Sequence, residues 1–231
     1  ETEDRRKEEK WKESGLIVEE ARLAYFAGKL SIADSAIGRA ISMFEAVGPK
    51  VSTEALTLKA EIDMASGRIE EARDTLARLP LKRMALSTRT LIVLAQSSFA
   101  SHDVALGQEY LDKALHEEEK VFHFRETWND LLSLRSSSIQ SCQALMLCLM
   151  ASHYYTDLKA RIHYLQKAMM IAPSNTGLKV HFGDTLRRLG RWEEARLHLE
   201  PVAKGQSDSA VAAIRVLRKG PIKGQTTAGG G

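Results

Sequence analysis

Cysteine, proline and aromatic side chains are all scarce in this chain of 231 residues, and neither sign of charge dominates it. Two cysteines cannot build a disulfide scaffold, and Cys142 and Cys148 form no Cys-x-x-Cys pair. Six apart on one expected helix, they read as buried thiols of a reducing, intracellular compartment, the cytoplasm first. The five prolines fall in the loop "VGPKVS", at the expected segment ends Pro80, Pro173 and Pro221, and at Pro201, which is expected to kink or terminate the last unit's second helix. Few aromatics are interleaved with the basic residues near the C-terminal end, so specific base stacking on nucleic acid is not indicated there. A net charge of +3 names no partner for the whole chain. The longest apolar run, "ALMLCLMA" from Ala144, is too short to cross a bilayer. The N-terminal "ETEDRRKEEKWKE" has no apolar signal-peptide core, and a first residue other than Met is expected of a processed or trimmed chain. No GxxxxGK[ST] loop, GxGxxG turn, HExxH pair or Cys/His zinc spacing occurs. The expectation is therefore no catalytic residue, no metal and no cofactor. His153, His163 and His181 read as polar helix residues.

A repeated phrase is present instead. "GRIEEARDTLARL" from Gly67 and "GRWEEARLHLEPV" from Gly190 place apolar residues at the same offsets: Ile69, Ala72, Leu76 and Leu79, then Trp192, Ala195, Leu199 and Val202. These offsets share one face of an α-helix. The frame recurs at Gly28 (Leu30, Ala33, Ile37, Ala40), His102 (Val104, Gly107, Leu111, Ala114) and Thr156 (Leu158, Arg161, Leu165, Ala168). The opening residue follows one helical stretch and precedes another, where glycine can take a left-handed conformation. Small residues recur inside the second helix (Ala33, Ala72, Gly107, Ala195) and seven before the turn (Ala21, Ala60, Ala95, Gly183). Such residues let helix axes approach closely. Arg161 and Leu149 are the exceptions, so the fourth copy is expected to be distorted or to slip by one residue. The pairs Glu70–Glu71 and Glu193–Glu194 place anions in a first helical turn, where the helix dipole favours them.

Helix, tight turn, helix, with intervals of 39, 35, 54 and 34 residues between Gly28, Gly67, His102, Thr156 and Gly190, resembles the tetratricopeptide repeat family. "CQALMLCLMASHYYTDLKARIHYLQKAMMIAPSN" followed by "TGLKVHFGDTLRRLGRWEEARLHLEPVA" carries the resemblance best. The aromatic usual early in the first helix is missing, with Leu145 and Lys179 in its place. The resemblance implies an all-α, right-handed solenoid of about five helix pairs, at roughly 14–47, 53–86, 88–121, 142–175 and 176–209. An ordinary helical bundle is the alternative. It also implies a non-catalytic scaffold or adaptor that holds a protein segment in a concave groove, as one subunit of a larger assembly. Carried over position by position, the groove residues are Arg22, Tyr25, Phe26, Met64, Gln96, Phe99, Met150, His153, Tyr154, Asp184, Arg187 and Arg188. Phe26, Met64, Phe99, Met150 and Tyr154 would form an apolar strip, and Arg187 and Arg188 would meet the acidic end of a peptide or amphipathic helix. The Lys/Asn carboxylate clamp of one subclass is absent, because Val18, Arg22, Thr57 and Glu61 stand at its positions.

Three segments lie outside the frame. Residues 1–13 read as a charged helical extension with Trp11 as its first apolar anchor. Residues 116–141 hold an insertion with Phe122, Phe124, Trp128, Leu131 and Leu132, expected as a prolonged or additional short helix before the loop "SSS". It either packs locally or projects toward a partner. Residues 207–220 read as a capping helix, with Ser207 and Asp208 as candidate N-caps, Val211, Ile214 and Leu217 as its buried face and Gly220–Pro221 as its stop. A flexible tail, 221–231, follows. A second reading gives the C-terminal end a role of its own. Arg215, Arg218, Lys219 and Lys223, near Arg187, Arg188 and Arg191, would contact RNA or an acidic membrane surface.

Overall fold

The computed structural model describes residues 2–48, 51–79, 86–119, 124–136 and 138–222. The expectations for Pro80, Phe122, Lys223 and the tail beyond it lie outside these residues. Among the described residues there are twelve α-helices, two 3-10 turns and no strand. The helices are α1 (Thr2–Phe26), α2 (Leu30–Val47), α3 (Thr53–Ala65), α4 (Ile69–Ala77), α5 (Thr88–Ala100) and α6 (Val104–Glu119). There follow α7 (Trp128–Leu132), α8 (Ile139–His153), α9 (Leu158–Ile171), α10 (Thr176–Arg188), α11 (Trp192–Ala203) and α12 (Ser209–Lys219). The chain forms two compact units, which divide within α6 between Leu111 and Asp112.

Every frame opens two residues before its second helix, as the pattern requires. Gly28, Gly67 and Gly190 have φ of 73°, 77° and 80°, and His102 takes the same left-handed conformation at 62°. One hydrogen-bond pattern closes all four turns. The residue after the turn donates its N–H to the carbonyl five positions back: Lys29 to Ala24, Arg68 to Asp63, Asp103 to Ser98 and Arg191 to Leu186, at 2.8–2.9 Å. The turn residue itself donates to the carbonyl three back. This Schellman arrangement uses up carbonyls that a helix end leaves unpaired. The fourth copy starts differently. Asp157 caps α9, its carboxylate accepting from the N–H groups of Lys159 and Ala160 at 3.1 Å. The first helices of later pairs begin on side-chain caps that the frame did not show: Ser52, Ser87, Ser138 and Asn175.

In unit 1, α1 packs on α2, α3 on α4, and α3 also meets α1, α2 and α5. Ala21, Ala33, Ala60, Ala72 and Ala95 are fully buried at these contacts, around Ile37, Phe44, Leu58, Ile62 and Ile92. The charged extension is continuous with the first helix in the 25-residue α1, and the Trp11 ring lies edge-on to Phe44 at 4.5 Å. A charge network ties α2 to α3 and its turn. Lys59 Nζ donates to Asp34 at 2.9 Å and to buried Asp63 at 2.5 Å, and Arg68 donates to the same two carboxylates.

In unit 2, α8 packs on α9, α9 on α10, α10 on α11, and α12 covers both α10 and α11. The insertion is an additional short helix, α7, between 3-10 turns at Arg125–Thr127 and Ser133–Ser136; residues 124–136 are called the strap below. The strap packs on α10 and reaches α12. Gly177 makes room for it, since a methyl there would lie 2.9 Å from Leu131 Cγ and 3.0 Å from the Thr127 carbonyl oxygen. Two C-terminal expectations need correction. α12 buries Ala210, Ala212, Ala213 and Val216, whereas Val211 and Ile214 are exposed and Leu217 is half-buried. Alanines allow the closest approach to α10 and α11, and that choice turns the larger aliphatics outward. Asp208 stands at the N-cap position of α12, but its side chain makes no capping hydrogen bond; its carboxylate accepts from Asn129 at 3.4 Å. α11 ends at Ala203, with the exposed Pro201 in its last turn. The stop at Gly220 is present, with φ of 63°.

Candidate functional site

The twelve groove positions divide by burial rather than by sequence type. In unit 1, Arg22, Phe26, Met64 and Gln96 are half-buried, and Arg22 pairs with Glu19 on its own helix. Tyr25 is buried, with its ring centroid 5.5 Å from that of Phe26. Phe99 is buried against Gly107 of α6. In unit 2, Met150 is fully buried, and Tyr154 is buried and stacked on Tyr164 at 5.8 Å. His153 is exposed, edge-on to Tyr154. Phe99, Met150 and Tyr154 therefore do not contribute to an exposed apolar strip. The room left by small residues such as Gly107 is filled by large side chains from the facing helix.

The arginines are also committed internally. Arg187 donates from Nε and Nη2 to Oδ1 of buried Asp184, at 3.2 and 3.1 Å. Arg188 donates to the Tyr155 carbonyl at 2.6 Å and lies over the Tyr155 ring at 4.3 Å. Arg191 is held by Glu194 through two bonds of 2.6 Å, and Arg215 by Glu126. Most of the basic end predicted to meet RNA or lipid is thus neutralised or anchored. Only Arg218 and Lys219, of those cations, are exposed with no ion pair among the described residues. At the positions of the missing clamp, Thr57 shares a hydrogen bond with Thr90 at 3.1 Å, and buried Glu61 accepts from Arg89.

The exception in the repeat, Arg161, proves to be the polar centre of unit 2. The register holds through α9, and Arg161 occupies the small-residue position with 1% of its surface exposed. Its Nε donates to Thr185 Oγ1 at 2.7 Å, Nη1 reaches the Ala151 carbonyl at 3.5 Å, and Nη2 lies 3.3 Å from His181 Nδ1. The other side of the imidazole fixes its tautomer. Thr127 donates its hydroxyl proton to the Phe124 carbonyl at 2.7 Å, so Thr127 Oγ1 accepts from His181 Nε2–H at 3.0 Å. His181 Nδ1 then accepts from Arg161. One chain of donors runs from α9 through α10 into the strap, and sequence spacing carried no signal of it beyond the misplaced arginine.

Burial governs the other ionisable groups near this centre. It pulls the Arg161 guanidinium down, against an opposing pull from Asp184. It pushes the Glu118 carboxyl up. The Cys148 thiol is pushed up to about 12, chiefly by burial, with Arg161 working against that and Glu118 adding to it. A thiol in that state is a packing group and not a nucleophile. Cys142 is also buried, its thiol donating to the Arg135 carbonyl at 3.0 Å. Among the described residues, no three His, Cys, Asp or Glu side chains are grouped to hold a metal ion. None of the described helices is long and apolar enough to cross a membrane. Comparison of the chain with protein-family models, curated proteins and solved structures finds no match.

Proposed function

We propose that this chain is a non-catalytic scaffold or adaptor, a solenoid of tetratricopeptide-like helix pairs that holds a segment of another protein on the surface of its first helices. The observation that carries the reading is the fourfold recurrence of one turn, with the same left-handed residue and the same pair of backbone bonds at Gly28, Gly67, His102 and Gly190. A chain that repeats a supersecondary unit in this way builds extended surface rather than a closed pocket. Within unit 1 the partner-facing residues are then the half-buried Phe26, Met64 and Gln96, and in unit 2 the exposed His153. Buried Phe99, Met150 and Tyr154 shape the surface from beneath without touching the partner.

The test is site-specific photo-cross-linking in native extract. A photoreactive residue at Met64 or Gln96 is expected to capture the same protein, and one at Met170, exposed on α9, is expected not to. Equal capture from all three positions, or none from Met64 and Gln96, removes the support for this surface. Binding of generic RNA that weakens steeply with salt would favour the basic end instead.

A further inference from the structure

α12 packs on both α10 and α11, as a further first helix of the repeat would. One repeat length on, about 34 residues, Gly177, His181 and Asp184 of α10 correspond to Val211, Arg215 and Arg218 of α12. On α10 the first two of these positions lie under the strap, Gly177 beneath Leu131 and His181 bonded to Thr127. On α12 the strap reaches only the near edge. Asp130 accepts from Thr176 of α10 at 2.7 Å and from Ser209 of α12, while Glu126 accepts from Arg215. Beyond that edge the face is open. Val211 and Ile214 are 55% and 37% exposed, on a helix whose opposite side is buried. Val211, Arg215 and Arg218 share one face at i, i+4 and i+7, with Ile214 beside them. Arg218 and Lys219 complete the border and make no ion pair among the described residues.

The strap shows what the matching face of α10 accepts. It is a short helical segment that sets buried Leu131 against Gly177 and offers carboxylates to the hydroxyls of Thr176 and Ser209 and to the Arg215 guanidinium. A segment of the same chemistry, laid one step further along, would set an apolar row on Val211 and Ile214 and acidic side chains against Arg218 and Lys219. Two aliphatic side chains are too few for a helix that inserts into lipid, and no aromatic on α12 offers a base a stacking platform. Building on the adaptor reading above, we propose that the outward face of α12 is a second docking surface, specific for an acidic, amphipathic helical segment of another protein.

The experiment uses the full chain and three labelled synthetic helical peptides that share one leucine pattern and differ only in flanking Glu, Gln or Lys. Fluorescence anisotropy is expected to rank them Glu first and Lys last, with about a tenfold gap or more between those two. Val211→Asp/Ile214→Asp is expected to abolish binding of the Glu peptide. Arg218→Glu/Lys219→Glu is expected to invert the order in favour of the Lys peptide. All four side chains are exposed or border solvent, so both variants should keep the wild-type circular dichroism and melting. Equal binding of the three peptides, or an unchanged order in the charge-reversed variant, overturns the proposal. So does binding of phosphatidylserine vesicles or oligouridylate through these four residues when the Glu peptide does not bind. Failure here with capture at Met64 and Gln96 intact would sink this second surface alone; loss of that capture bears on the adaptor reading and not on the peptide ranking.

Discussion

Replacing Gly107 with alanine is expected to destabilise unit 1, and the same replacement at Gly38 is expected to stabilise it. Both glycines lie inside helices, α6 and α2, and both belong to the unit that ends at Leu111. Alanine is favoured over glycine in a helix interior by about 0.8–1.0 kcal/mol. At Gly38 nothing lies within 4 Å of an added methyl, so the whole gain should appear. At Gly107 the methyl would sit 2.9 Å from Cδ1 and Cε1 of Phe99 and 3.0 Å from its Cγ. Carbon atoms rest comfortably at about 3.5–4.0 Å, and Phe99, only 6% exposed, has little room to retreat. Overpacking of this kind costs about 1–3 kcal/mol, which meets or exceeds the helical gain. The two variants should then differ by about 1–3 kcal/mol, with roughly 2–4 °C of melting temperature for each kcal/mol in a chain of this size. Far-UV circular dichroism melts and urea titrations of the pair measure the difference, with the same unit reporting in both. If Gly107→Ala melted as high as Gly38→Ala, the close approach of α5 to α6 would be wrong. So would the account of small residues as the contact points of the repeat. Gly183→Ala extends the series to unit 2 and should be harsher, because its methyl would meet the buried Leu199 Cγ at 2.6 Å.

Two further outcomes follow from the polar groups of unit 2. Arg161→Ala leaves Thr185, His181 and the Ala151 carbonyl without their donor, and should cost on the order of 3 kcal/mol in a urea titration; a variant as stable as wild type would show the network to be incidental. His163 is held down to about 4, first by burial and then by Lys167. Because its folded value lies below the ordinary one, its contribution is complete above about pH 6.5 and is lost as pH falls from there toward 4. His163→Gln should therefore flatten the fall of stability between those limits, and an identical slope in the variant would contradict the assignment.

How far the chain could be read in advance is clearest at its turns and at its exceptions. A left-handed residue two before a helix, with small residues at fixed offsets, is a local requirement of backbone sterics and close helix contact. It leaves its mark on neighbouring residues, so Gly28, Gly67 and Gly190 were legible, and so was His102. Arg161 was legible only as a departure from the pattern. Nothing near it in sequence announces that Thr185 and His181 would receive it, because those partners stand on the next helix pair. The groove residues were harder still. Phe99 and Tyr154 occupy positions that the repeat assigns to a surface, yet whether a ring lies on that surface or under it depends on the side chain opposite.

What the amino-acid sequence determined by itself was the helical class, the positions of the hairpin turns and the small residues at helix crossings. The first two depend on interactions within a few residues along the chain, and the third was marked by its fixed spacing from the turns. The tertiary structure alone decided the place of the strap, the outward face of α12 and the solvent exposure of the candidate site. The strap is held by Asp130 to Ser209 and by Glu126 to Arg215, across 79 and 89 residues of sequence. Which side of α12 is buried was settled by how closely its alanines fit against α10 and α11, a choice between two faces that are both apolar enough to be hidden. Hydrophobic periodicity says that a helix has an inner face; when two faces compete, the fit against the neighbouring helices selects between them.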